Sequence, residues 1–154
     1  MELADEITIP APRERVFAAL NDIDVLRVCI PGCETLERES DTELVAKVTL
    51  KIGPVKAKFN GRVTLDPSNA PASFSLSGQG DGGVAGFAKG GADVELIEDG
   101  ENTILRYDAK AETGGKIAQL GARLLTSTAK KLSKAFFEQF ETLMNGNRES
   151  ANKG

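Results

Sequence analysis

The 154-residue chain has no histidine, no tryptophan, one tyrosine and only two cysteines. Without an imidazole, neither a Ser/His/Asp nor a Cys/His nucleophile can be assembled, so catalysis would rest on carboxylates, lysine or Tyr107 alone. That argues against hydrolysis, and no catalytic residue is assigned. Cys29 and Cys33 lie four apart across Pro31-Gly32. Zinc sites use two such clusters or added histidine, so these read as reduced structural thiols and no metal is expected. No apolar run reaches the roughly 18–20 residues of a membrane span, and no basic-then-apolar leader follows Met1. The expectation is a cytoplasmic protein, with peripheral contact to the inner face of the cell membrane left open. The formal net charge of −4 argues against broad electrostatic binding to nucleic acid or anionic lipid.

What is present is one long amphipathic stretch and a series of strands. From Lys116 to Leu143 the residues Ile117, Leu120, Leu124, Leu125, Leu132, Ala135, Phe136 and Leu143 fall on one face of a helical wheel. Gly114-Gly115 marks the start and Asn145-Gly146 the stop. Gly121, Thr128, Ala135 and Gln139 run down that face, so the helix either touches a sheet very closely or leaves space beneath it. Phe137 lies off the face and is a candidate contact for a partner or a membrane.

Upstream, Leu3–Ile9 reads as a strand, with Asp5 the one charge on its apolar parity. Pro12 opens a short helix through Val16, Phe17 and Leu20, and Asp22 or Asp24 caps a second one that stops at Pro31-Gly32. From Cys33 to Ala111 strict period-two alternation marks about six antiparallel strands, with turns at Asp41, Gly53-Pro54, Asp81-Gly82 and Asp99-Gly100. The segment Gly78–Gly91 is half glycine. A phosphate loop would need a helix after it; a strand follows, so the glycines bend strands or remove interior volume. Phe87 sits on the parity opposite Ala88, Ala92, Val94 and Leu96. Either a bulge turns it inward or it stands exposed near the rim. The fold read from this order is α+β: a curved antiparallel sheet of about seven strands gripping a long C-terminal helix, with two short helices after the first strand. One domain covers 1–145, followed by a polar, disordered tail over 146–154.

Several runs resemble the CoxG family, which takes its name from a carbon monoxide dehydrogenase subunit: Ile9-Pro10-Ala11-Pro12-Arg13-Glu14-Arg15-Val16-Phe17, Ile30-Pro31-Gly32-Cys33-Glu34, Gly53-Pro54-Val55-Lys56-Ala57-Lys58-Phe59-Asn60-Gly61 and Gly86-Phe87-Ala88-Lys89-Gly90. Gly114-Gly115-Lys116-Ile117-Ala118-Gln119-Leu120-Gly121, Ala129-Lys130-Lys131-Leu132 and Phe136-Phe137 continue the resemblance over about residues 2–144. It implies the START-like (SRPBCC) helix-grip fold with an apolar cavity. It also implies an accessory role for carbon monoxide dehydrogenase or another molybdenum hydroxylase, with membrane tethering and quinone handling. Some members carry a C-terminal hydrophobic anchor; the polar Asn147–Gly154 ending favours a soluble carrier or adaptor.

The function expected is therefore non-catalytic binding of a quinone or lipid, with no metal or covalent cofactor. Expected lining residues are Leu26, Ile30, Leu50, Phe59, Phe74, Leu76, Phe87, Tyr107, Leu120 and Leu124, with Tyr107 as the polar handle. The alternatives are a pure interaction module with an empty interior and, behind it, a START-like cyclase or hydrolase with an inward charge.

Overall fold

A computed structural model describes the backbone over residues 1–153 and side chains over residues 1–146. The elements are β1 (Glu2–Ile9), α1 (Arg13–Leu20), α2 (Ile23–Cys29), β2 (Cys33–Arg38), β3 (Glu43–Ile52), β4 (Val55–Asp66), β5 (Ser73–Asp81), β6 (Phe87–Asp99), β7 (Asn102–Gly114) and α3 (Ala122–Lys153). Tighter 3₁₀-type helix occupies Gly83–Ala85 for one turn and Gly115–Leu120 for two. All seven strands form one antiparallel sheet in the order β1-β7-β6-β5-β4-β3-β2. Consecutive strands from β2 to β7 are neighbours because each is joined by a short connection. β1 returns beside β7, which places α1 and α2 as the link between the two sheet edges.

Local chemistry explains these boundaries. The Asp22 carboxylate accepts the backbone N–H groups of Asp24 (2.9 Å) and Val25 (3.4 Å), satisfying donors that the first turn of α2 leaves free. Gly53-Pro54 joins Ile52 to Val55 across a two-residue turn, and Gly100-Glu101 joins Asp99 to Asn102. The buried Thr103 hydroxyl donates to the Ala11 carbonyl at 2.7 Å, pinning the exit of β1 to β7.

Two elements depart from the sequence reading. The hairpin expected at Asp81-Gly82 is a longer connection, because Gly83–Ala85 forms its own turn before β6 starts at Phe87. More consequentially, the long helix starts at Ala122 and not at Lys116. Gly121 has φ +94°, a left-handed value that no helix can pass through, and the preceding turn is the tighter kind. Ile117 and Leu120 therefore sit out of phase with the helix that follows. Its inward face is carried by Phe136, Phe137, Phe140, Leu143 and Met144, while Ala135 is exposed. Asn145 and Gly146, expected as the stop, are helical. The disordered tail expected over 146–154 lies, beyond Gly146, outside the residues described with side chains.

The apolar interior is divided in two. The larger core joins Ile9, Val16, Cys29, Phe74, Leu96, Leu105, Tyr107, Phe140 and Met144. Phe17 meets Phe74 edge-on at 5.5 Å, and Phe136 stacks on Phe140 at 6.1 Å. The smaller core, at the other end of the sheet, holds Ile52, Ala57, Phe59, Ala85 and Ile117, with Leu50, Val55, Leu120 and Leu125 packed on it.

Candidate functional site

Between the two cores lies the region that could hold a ligand. Strand register aligns two rows of small residues on the inner face of the sheet. Ala46, Gly61, Gly80 and Ala88 form one, and Gly78, Gly90 and Ala111 form the other, next to Val63. Alternation places both rows under α3. A side chain built at Gly61 would meet only the carbonyl oxygens of Gln79 (3.7 Å) and Ala46 (3.9 Å), and the atoms nearest to one at Gly80 are those of Phe59. At Gly78 the nearest atoms belong to Arg62 and Val63. No atom of α3 is among the nearest neighbours of those positions.

The helix therefore does not lie tight on the middle of the sheet. Its backbone comes nearest to α2, β1 and β3. At its start, a side chain at Gly53 would run into Leu124 at 2.8 Å. So α3 bridges from the β3–β4 turn to β1 and arches over β4–β6. Consistent with that gap, Leu44, Val48, Leu50, Val63, Leu65 and Leu76 face inward yet are only half-buried. The space arises from the glycines of the sheet. Of the stripe expected along the helix, Gly121 and Ala135 are exposed and only Thr128 and Gln139 are half-buried.

The expected lining residues divide around this gap. Leu50, Phe59 and Leu120 belong to the smaller core, and Phe74, Leu76 and Tyr107 to the larger one. Leu26 is buried on α2, Ile30 half-buried at its C-terminal end, and Leu124 half-buried at the start of α3. Phe87 does not join them: no bulge turns it, it stands 46 % exposed on the outer face, and its ring covers Gly114. Phe137 is not a free surface residue either, for it stacks on Tyr107 at 5.7 Å and meets Phe136 at 5.0 Å. Sequence reasoning missed Ser133, whose Oγ lies 2.7 Å from the Tyr107 phenol and satisfies it across the gap. A wheel phased from Ala122 would have turned Ser133 inward.

Beside that contact, between β1 and α3, a side opening of about 520 Å³ is lined by Leu3, Ile7, Tyr107, Ser133 and Phe137. Asp5, the one charge on the inner parity of β1, lies on its rim and accepts the Glu6 backbone N–H at 2.8 Å. Larger depressions of about 580 and 820 Å³ lie on the outer face. Charged side chains line them, among them Arg62, which is held by Glu39 (2.6 Å) and Glu43 (2.7 Å). They are open grooves between surface groups, and Val45 and Phe87 also line the larger one. Burial raises the Cys29 thiol above its ordinary value and also raises Cys33, where nearby Arg27 opposes it. Both thiols are free. Among the described residues no three carboxylates or thiols converge as a metal site, and no helix is long and apolar enough to cross a membrane.

The family model of CoxG, a carbon monoxide dehydrogenase subunit, matches residues 6–145. The chain belongs to the CoxG family. A conserved protein from Geobacillus kaustophilus superposes with a TM-score of 0.88 at 29 % identity, covering 95 % of this chain and 96 % of that one. A START superfamily protein from Mycobacterium smegmatis gives 0.73 at 14 % identity, covering 94 % and 97 %. A Streptomyces aromatase/cyclase gives 0.70 at 14 % identity, covering 94 % and 93 %. The last two establish the START-like fold alone. No curated protein matches the chain by sequence. CoxG membership and a START-like fold are consistent with a ligand-binding accessory role.

Proposed function

We propose that this CoxG member is a non-catalytic carrier of an elongated apolar molecule, a respiratory quinone or a lipid. It would serve carbon monoxide dehydrogenase or a related molybdenum hydroxylase by delivering an electron acceptor or aiding recruitment to the membrane. One observation carries the reading: two rows of glycine and alanine lie under an arched helix, between cores that do not meet. Apolar burial supplies the affinity, at about 25 cal/mol per Å² removed from water. The Tyr107–Ser133 pair is the polar group best placed to orient a head group. Native mass spectrometry after gentle purification, with organic extraction and added menaquinone, tests it. A bound lipid-sized mass supports the carrier, and an empty protein that takes up nothing leaves an interaction module.

A second reading, a START-like cyclase, draws on Asp5, which lies beside Tyr107 at the side opening. It predicts that Asp5→Asn abolishes turnover of a cyclisable substrate; unchanged turnover removes it.

A further inference from the structure

The side opening between β1 and α3 holds polar groups whose hydrogen-bonding capacity is not used up. Asp5 and Tyr107 are direct partners across the β1–β7 ladder, so their side chains stand beside each other on the inner face. Ser133 of α3 reaches the same place from the helix side, its Oγ 2.7 Å from the phenol oxygen. Leu3, Ile7 and Phe137 supply apolar wall around them, and the Tyr107 ring is fixed by stacking on Phe137 at 5.7 Å.

The supply of donors and acceptors there is short. Each hydroxyl carries one proton; the Tyr107–Ser133 contact uses one of them and leaves the other to donate outward. One Asp5 oxygen accepts the Glu6 N–H at 2.8 Å, and the other has no partner among the described residues. Neither Asp5 nor Lys130, which lines the same opening, forms an ion pair among the described residues. The other charges on the rim are Lys134, held by Glu138 at 3.9 Å, and Glu141. With cations and acids so nearly balanced, little net field draws in an ion of either sign, and hydrogen bonds select what enters.

A group entering the opening meets one donor and one ionised acceptor. A hydroxyl satisfies both, donating to Asp5 and accepting from the Tyr107–Ser133 pair. A carbonyl or an ether satisfies the donor only and turns its lone pairs toward the carboxylate. Hydrogen bonds to a charged partner are the stronger kind, so the Asp5 contact decides between them.

We propose that the side opening selects a neutral head group with an O–H donor (an alcohol, phenol or hydroquinone) over its carbonyl or ether counterpart. Asp5 is the specificity-determining residue, and Tyr107 with Ser133 holds the oxygen of the same O–H. The selection stands on these residues; only the course of a longer tail beneath α3 rests on the carrier reading. For a quinone cargo, the reduced form is held more tightly than the oxidised one.

Naphthol and its methyl ether test this on the purified full chain, by fluorescence titration. The ether carries one more methyl group, so apolar burial alone predicts that it binds more tightly. The expected order is the reverse, with naphthol favoured by about tenfold. Amide NMR shifts on binding should concentrate at Leu3, Asp5, Tyr107 and Ser133. Asp5→Asn keeps the shape and an acceptor without the charge, and should lower the preference to about threefold. Asp5→Val removes the acceptor and should leave less than about a twofold preference. Asp108→Asn, one position from Tyr107 and on the outer face, should keep the full preference. Circular dichroism checks that each variant folds. Equal affinities in wild type, no binding of either probe, or shifts confined to another surface overturn the proposal. So does a preference that survives Asp5→Val or, should that variant not fold, one undiminished in Asp5→Asn. Menaquinone uptake is scored separately. Uptake without a naphthol preference leaves the carrier reading and removes this proposal, and a naphthol preference without uptake does the opposite.

Discussion

The two ends of the molecule bury apolar surface in different ways. The larger core is filled by rings and branched chains from α1, β1, β5, β6, β7 and α3, and Ile9, Val16 and Phe140 are fully buried. The smaller core contains a single aromatic ring, Phe59, and two of its five buried residues are alanines. Three of its walls are a hairpin tip and two short tight helices, not long elements. Side-chain burial scales with stabilisation, so the first end holds the fold together. The second end, on short loops with little buried surface, is where local opening costs least.

Breaking the larger core should give the largest effect. Phe140→Ala is expected to cost about 3–5 kcal/mol in urea unfolding, since the ring is wholly buried against Phe136. A loss below about 1 kcal/mol would mean that this core does not dominate stability.

Substitutions in the glycine floor separate close packing from open space. A methyl at Gly90 would lie 2.1 Å from the Lys110 carbonyl oxygen, so Gly90→Ala is expected to cost about 1–3 kcal/mol. A Cβ at Gly61 meets only carbonyl oxygens, at 3.7 and 3.9 Å, so Gly61→Val is expected to enter the gap without collision. It should change stability by less than about 1 kcal/mol, because valine suits a strand better than glycine. The same change should lower uptake of added menaquinone at least tenfold. If Gly61→Val is as damaging as Gly90→Ala, the floor is packed and the comparison falls.

Hydrogen exchange sharpens the contrast between the ends. Amides of 82–86 and 115–121 should exchange at least ~10-fold faster than those of Leu105 and Tyr107. Equal protection would show that both ends open together.

The smallest effect expected is electrostatic. Hydrogen bonds from the Thr49 hydroxyl (2.7 Å) and from Lys58 hold the Glu34 carboxyl below its ordinary value. A depressed carboxylate stabilises the fold above its unfolded value, about 4.3, and the contribution disappears as pH falls through the folded one. The stability difference between wild type and Glu34→Gln should therefore be present at neutral pH and vanish in acid. The site is exposed and screened, so the difference is small.

Much of the fold was legible in the residue order. Period-two alternation marked the strands, Asp22 marked a cap, and Gly53-Pro54 and Asp99-Gly100 marked tight turns, because these signals act within a few residues. The phase of α3 was not legible, since one left-handed glycine at position 121 resets it. An unbroken wheel turned Ala135 inward and overlooked Phe140, Met144 and Ser133. Among site residues, Tyr107 was legible as a buried phenol needing a partner, but its partner lies 26 positions away. Parity gives Phe87 two orientations, because it cannot say whether a bulge intervenes.

By itself the sequence determined the class of molecule. It set a single sheet with one apolar face, a terminal amphipathic helix, no imidazole chemistry and a resemblance that the CoxG match bears out. Only the tertiary structure decided where the space is and which polar groups open onto it. Which glycines fall side by side depends on strand register, and Asp5, Tyr107 and Ser133 share an opening because distant segments meet there. Both are sums over contacts far apart in the chain, which composition and net charge average away.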